Sequence, residues 1–221
     1  MALKVSEAIV VGAFQQNCRL VHDPETEQGV LIDPGAEPEK ILEAIPDGIR
    51  ITHILATHAH LDHVGAVTQV KAALEDKQKG PVPFALHHGD LPILAQMPEH
   101  GRMFGIPGLV VPTVDIDLAE VDEIQVGKET IRVVHTPGHT PGGVTFLFGD
   151  KGCFGDSLFK MSVGRTDLGG NAAEYARTLR ETILGLPDET IVYCGHGPDT
   201  TIGQERIANP FLNGQISIDG N

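Results

Sequence analysis

Short apolar runs separated by polar, Pro- and Gly-containing breaks dominate this chain. Residues 3–11, 14–22 and 28–33 read as strands, the last two joined by Asp23-Pro24-Glu25-Thr26-Glu27. Residues 37–45 suit a helix. Ile51-Thr52-His53-Ile54-Leu55-Ala56 opens a buried strand placed over 51–57, and Val64, Val67, Val70 and Leu74 recur at helical spacing, which predicts a helix over 62–75. A further strand falls at 82–86. Residues 97–118, rich in Pro and Gly and with little periodicity, read as a crossover between two αβ halves. The second half has strand patterns near 123–126, 130–135, 143–148, 151–155 and 190–194. Its clearest helix starts at about Asn171: Tyr175, Leu179 and Ile183 form one stripe, Asn171 with Glu174 is a capping pair, and Gly185 is a stop. The expected fold class is α/β, one domain over 1–221, in which two mixed sheets flanked by helices bring the strand ends to one rim.

Those strand ends are where the chemistry lies. After the 51–57 strand comes Thr57-His58-Ala59-His60-Leu61-Asp62-His63, with three histidines and a carboxylate in six residues. Imidazole and carboxylate form the donor set of a zinc-class divalent metal. His58 and His60 stand two apart in an extended segment and can point the same way. Asp62 and His63 follow where the helix starts and can address a second point. A lone histidine is usually structural or merely solvated, but four donors in HxHxDH order are a stronger signal. Three more strand ends add donors: His139 in the tight loop Thr136-Pro137-Gly138-His139-Thr140-Pro141-Gly142-Gly143, Asp156 after Cys153-Phe154-Gly155, and His196 after Ile191-Val192-Tyr193-Cys194-Gly195. An aspartate at the end of an apolar run is costly to bury unless a cation pairs with it. Asp33, in Ile32-Asp33-Pro34-Gly35, is placed to orient a metal-binding side chain from behind.

HxHxDH followed by a distant His, an Asp and a His, each at a strand end, resembles the metallo-β-lactamase superfamily from Asn17 to Leu212. Within it, Gly-Asp-Ser-Leu-Phe (155–159), Val-Gly-Arg-Thr-Asp (163–167), Gly-His-Gly-Pro-Asp-Thr-Thr (195–201) and Glu205-Arg206-Ile207-Ala208-Asn209-Pro210-Phe211 resemble glyoxalase II. Arg102-Met103-Phe104-Gly105 is similar to its compact bacterial branch. The resemblance implies an αβ/βα sandwich with two divalent ions per chain, zinc first, iron or manganese as alternatives. His58, His60 and His139 would hold one ion, Asp62, His63 and His196 the other, with Asp156 bridging. The implied activity is thioester hydrolysis by a metal-bridging hydroxide, with Asp62 also acting catalytically by orienting that hydroxide. Two close divalent ions lower the pKa of a shared water toward neutrality. A thioester suits this machinery because its thiolate leaving group, of thiol pKa about 8.5, needs little protonation.

Composition narrows the partners. The 221 residues carry a net charge of −14, which disfavours nucleic acid. At 41% apolar content a normal core is available. No basic-apolar leader pattern and no apolar stretch of membrane-spanning length is visible, so a cytoplasmic location is expected and no membrane partner. Cys18, Cys153 and Cys194 are odd in number without a CxxC, and free thiols are expected.

Substrate identity is written less clearly. Nine residues follow Leu212, so no C-terminal glutathione-binding helical segment is expected. Arg165 stands where the longer glyoxalase II enzymes have a glutathione-contacting lysine, and is the candidate substrate contact. Aromatic contacts of those enzymes are replaced by Asp167 and Pro198, and Leu168-Gly169 departs from the Phe-Pro of the compact branch. The leading expectation is a small-molecule thioester such as S-D-lactoylglutathione. A mononuclear-iron persulfide dioxygenase, which shares Gly-Arg-Thr-Asp, and a lactam or lactone hydrolase are the alternatives.

Overall fold

A computed structural model describes residues 2–218; Met1 and residues 219–221, the extreme ends of the expected 1–221 domain, lie outside them. Among the described residues the chain forms two sheets, one from each half. The first contains β1 (Lys4–Val5), β2 (Ile9–Val11), β3 (Gln16–Asp23), β4 (Gln28–Ile32), β5 (Arg50–Leu55), β6 (Phe84–Leu86) and β7 (Ile116–Asp117). Its order is β1-β3-β4-β5-β6-β7, with β2 added beside β3. β1 and β4 flank β3 antiparallel, and β4 through β7 run parallel. The second sheet contains β8 (Glu123–Val126), β9 (Glu129–His135), β10 (Val144–Phe148), β11 (Lys151–Gly155), β12 (Ile191–Cys194) and β13 (Thr200–Thr201), in the order β13-β12-β11-β10-β9-β8.

Side-chain alternation makes this a four-layer αβ/βα sandwich, because successive residues of a strand serve opposite faces. On β4, Val30 and Ile32 enter the core between the sheets, while Leu31 faces the helices of the first half. On β10, Val144, Phe146 and Phe148 enter the same central core, while Leu147 joins the outer cluster with Tyr175, Leu179 and Ile183. The helices α1 (Pro38–Glu43), α2 (Leu61–Val64), α3 (Val67–Gln78) and α4 (Leu91–Met103) belong to the first half, and α5 (Ala172–Thr178) and α6 (Ile202–Ala208) to the second.

Several elements depart from the pattern-based expectation. The 3–11 strand divides at Ser6, whose hydroxyl accepts the Leu20 N–H. The 62–75 helix is two helices: a break at residues 65–66 lets the Ala66 N–H reach the Pro34 carbonyl instead of continuing the first. The expected 97–118 crossover begins later, because α4 runs through to Met103 with Leu94, Met97 and Gly101 buried; Pro98 within it had disguised the period. Strand β13 and helix α6, seven residues long and directly after it, were not expected. The Asn171 cap is as expected, its side chain accepting the Glu174 N–H at 3.0 Å, and α5 then passes into a π-helical turn over Leu179–Ile183.

The rim depends on close backbone approach. β4 and β5 are parallel, as are β11 and β12, so the loops that follow these strands emerge on one side. Backbone hydrogen bonds stitch the halves there: Asn17 N–H to Gly195 O and Val144 N–H to Thr57 O, both 2.8 Å. Gly35 lies directly beneath α2, where a Cβ would stand 1.4 Å from the Asp62 carbonyl oxygen. Gly35→Ala therefore must displace Asp62 and His63 or β4 itself. We expect it to lower stability to denaturant by about 2–4 kcal/mol and to reduce bound metal measured on the purified, folded fraction; native stability and metal content would show that the helix can move freely.

Candidate metal centre

Five imidazoles and two carboxylates converge at this rim. β5 ends at Leu55, and the following extended residues present His58 and His60 before α2 sets Asp62 and His63 on its first turn. The loop after β9 supplies His139, the end of β11 Asp156, and the end of β12 His196. All seven residues singled out in the sequence come together. His58 Nε2, His60 Nδ1 and His139 Nε2 form a triangle with sides of 3.1, 3.0 and 3.3 Å. His196 Nε2 lies 3.2 Å from Asp62 Oδ2 and 3.4 Å from His63 Nε2. Asp156 stands between the two groups, with Oδ1 3.2 Å from His63 Nε2 and Oδ2 3.6 Å from His139 Nε2. Gly195 is required beside it, since a Cβ there would lie 2.3 Å from Asp156 Oδ1.

The outward nitrogen of every ring is committed. Carbonyls can only accept, so His60 donates to Leu168 O (3.0 Å), His139 to Arg165 O (2.6 Å) and His196 to Phe14 O (3.0 Å). His63 Nδ1 lies 3.0 Å from Asp33 Oδ2. Asp33 also accepts the Thr57 N–H and hydroxyl, each at 2.7 Å, which leaves the Thr57 oxygen to accept from His58 Nδ1 at 3.1 Å. Asp33 thus has the position behind the rings that its strand-end location suggested. With these tautomers fixed, a neutral ring turns its lone pair inward. The inward nitrogens of His58, His60 and His139, 3.0–3.3 Å apart, then repel one another unless a cation sits among them. Asp156 Oδ1 adds a buried oxygen without a hydrogen-bond partner. Buried nitrogen donors, carboxylates and this orphaned oxygen fit divalent metal ions.

Electrostatics agree. Burial, reinforced by the neighbouring rings, pushes His58 well below the usual imidazole range, and burial takes His139 to about 4. Burial opposes the charge on His63 too, but Asp156, Asp33 and Asp62 carry it well above the usual value. His196 is likewise raised against burial by Asp62 and Asp156. Burial works against ionisation of Asp156 and Asp62, yet the surrounding histidines hold both low. Without metal, protons on His63 and His196 balance the carboxylates; cations would replace them.

Sequence reasoning missed two supports. Asp90, fully buried, accepts the Ala59 N–H (2.9 Å), the Thr140 hydroxyl (2.8 Å) and the Gly142 N–H (2.6 Å), tying the His58 loop to the His139 loop. Burial nonetheless raises its pKa. Tyr175, read only as part of an apolar stripe, directs its hydroxyl at the Asp156 and Ser157 carbonyls and accepts the Gly164 N–H, all at 2.9 Å. Neither had a motif to mark it, being separated in sequence from what it braces. His135 stacks on His87 (4.3 Å, 7°) and holds the Pro141 carbonyl, a packing role. The three cysteines are free and buried, and burial pushes the Cys194 thiol up to about 12.

The cluster floors an open cleft of about 970 Å³, lined also by Phe14, Ile93, Met103, Phe104, Phe159, Val163, Arg165, Asp167 and Leu168. Arg165 therefore reaches the entrance, but its guanidinium forks onto Asp167 with both contacts at 2.5 Å.

Comparison with known proteins matches this arrangement. The family model for the metallo-beta-lactamase superfamily covers residues 11–196, and the chain belongs to that superfamily. Membership supports a metal-dependent hydrolase. A hydroxyacylglutathione hydrolase, GloC, of Haemophilus influenzae is 37% identical over 212 residues, spanning 94% of this chain and 97% of that protein. The crystal structure of BLEG-1 B3 metallo-beta-lactamase superposes with a TM-score of 0.84 at 34% identity, covering 95% of this chain and 99% of that one. TTHA1623, crystallised in a di-iron-bound form, gives 0.79 at 38% identity, covering 94% and 100%. No helix among the described residues is long and apolar enough to cross a membrane.

Two measurements probe the support behind the rings. Asp33→Asn puts an amide NH₂ against the donors of Thr57 or His63, and metal affinity measured by chelator competition is expected to fall about 10–100-fold; an unchanged affinity would remove Asp33 from the site. Because His63 and His196 are raised, metal binding displaces their protons, so apparent affinity climbs with pH and loading acidifies a weakly buffered solution. Linkage has the opposite sign in the metal-free chain. A raised histidine contributes stability below its unfolded value and loses it as pH rises through its folded value. Metal-free Tm is therefore expected to drop above the usual imidazole range, and a Tm that rises there would contradict the assignment.

Proposed function

We propose that this chain is a dinuclear metal-dependent thioester hydrolase of the glyoxalase II type. The observation that carries the reading is the pair of donor sets sharing Asp156. His58, His60 and His139 would hold one ion and Asp62, His63 and His196 the other, with Asp156 facing both. Zinc suits this nitrogen and carboxylate set, and iron or manganese are also compatible with it. When bound, the ions supply hydroxide at neutral pH and absorb charge from the developing oxyanion.

The chain's own groups do the rest. The cleft admits the substrate over the cluster, and the walls restrict its approach. Asp62 lines the cleft with its Oδ2 3.2 Å from His196 Nε2, and its carboxylate is available to orient the attacking water. Burial, the outward bonds and the shared carboxylate hold the rings, so the site needs little reorganisation as charge develops. The lining carboxylates Asp62 and Asp156 are held low and make poor proton donors. A thiolate leaves without a proton, whereas an amine does not, which favours a thioester over an amide. A mononuclear-iron dioxygenase can keep the Asp62, His63 and His196 side chains without a second ion, so metal content per chain separates the two readings. The similarity to a hydroxyacylglutathione hydrolase supplies the first substrate to test, S-D-lactoylglutathione.

His58→Ala and Asp156→Ala are each expected to lower metal content and reduce hydrolysis of S-D-lactoylglutathione to background. Full activity with metal retained in either variant rejects the assignment. Asp62→Asn is expected to cut kcat by about 10²–10⁴-fold with little change in KM, because orienting the nucleophile matters most in the transition state. A loss confined to KM would make Asp62 a substrate contact instead.

A further inference from the structure

The walls of the cleft carry a preference that the donor cluster does not explain. Met103 and Phe104, at the end of α4, are 73% and 54% exposed, and Phe14, on the turn before β3, is 40% exposed. Phe14 and Phe104 meet edge to face with ring centres 5.4 Å apart. Large apolar side chains gathered at the mouth of a cleft leave area to be covered by something that enters it. The same Phe14 accepts the His196 Nδ1–H through its carbonyl, so this wall stands immediately beside the donors.

Charge points the same way. Arg165 is the sole Lys or Arg among the described lining residues, and its Nε and Nη2 are bonded to Asp167. Arg102, next to Met103, is paired with Glu99. Among the described lining residues, a substrate half bearing carboxylates meets one guanidinium, already paired with Asp167, whereas an uncharged chain finds apolar surface.

Resting on the thioester-hydrolase reading above, we infer that this cleft is built for an uncharged thioester with an apolar chain, seated against Phe14 and Phe104, in preference to a charged peptide thioester. Phe104 is the residue that sets the preference, and being half exposed it can be replaced without opening the core.

The metal-loaded full chain tests this with non-hydrolysable thioethers, whose binding does not depend on turnover. S-hexyl-N-acetylcysteamine is expected to bind at least tenfold more tightly than S-methyl-N-acetylcysteamine and more tightly than S-hexylglutathione. Phe104→Ala should remove most of the hexyl advantage and change methyl binding less than twofold. Phe104→Lys should weaken the neutral hexyl compound and strengthen S-hexylglutathione. Tighter binding of S-hexylglutathione by the unmodified chain, or equal losses for hexyl and methyl compounds in Phe104→Ala, overturns the inference. Hydrolysis of S-hexanoyl-N-acetylcysteamine, followed in parallel, separates the two ideas. Turnover without the hexyl advantage leaves the hydrolase and discards the apolar wall. The binding pattern without any thioester turnover keeps the wall and discards the thioester reading.

Discussion

The carboxylate of Asp33 is the constraint from which the rim is assembled. It sits at the end of β4 in a left-handed backbone conformation, φ 56°, which Asp tolerates better than most residues. Buried, it would cost several kcal/mol if left alone. Thr57 gives it two hydrogen bonds and His63 a third, and hydrogen bonds to a charged group contribute roughly 1.5–3 kcal/mol each. Through Thr57 it also fixes His58. One anion on the first sheet thereby orients a ring from each donor set. Moving β4 against β5 by a fraction of an ångström would turn both.

Asp90 repeats the device on the other side. Its three donors come from the loop after β5 and the loop after β9, two segments that belong to different halves. Tyr175 does the same from the outer helix layer, bracing the carbonyls around Asp156. The rim is thus held by a few buried oxygen atoms that collect donors from distant parts of the chain. Such networks are stabilising when fully satisfied and costly when any member is removed.

Much of this is legible in the sequence because strands announce themselves by alternation and metal-binding residues by unusual clustering. The donor side chains His58, His60, Asp62 and His63 share one short peptide, and His139, Asp156 and His196 each stand in a glycine-containing stretch at the end of a strand pattern. Asp90 and Tyr175 were invisible because their value lies in long-range contacts. Asp90 looks like any polar residue beside Gly89, and the Tyr175 ring is apolar enough to pass as core. Helix α4 was hidden by Pro98, which stands in its interior. Arg165 lines the cleft, and its pairing with Asp167, two residues on, depends on side-chain geometry that spacing does not specify.

The backbone bonds that join the two halves, Asn17 to Gly195 and Val144 to Thr57, involve none of the seven donor side chains. The outward partners of the rings are likewise protein atoms: carbonyls, a carboxylate and a hydroxyl. The donors are therefore pre-positioned by the polypeptide, unlike small zinc domains in which the ion organises the chain. Ion exchange in such a cup is a surface event, open to the cleft and separate from unfolding. The same fold would then accept whichever compatible divalent ion reaches the cleft.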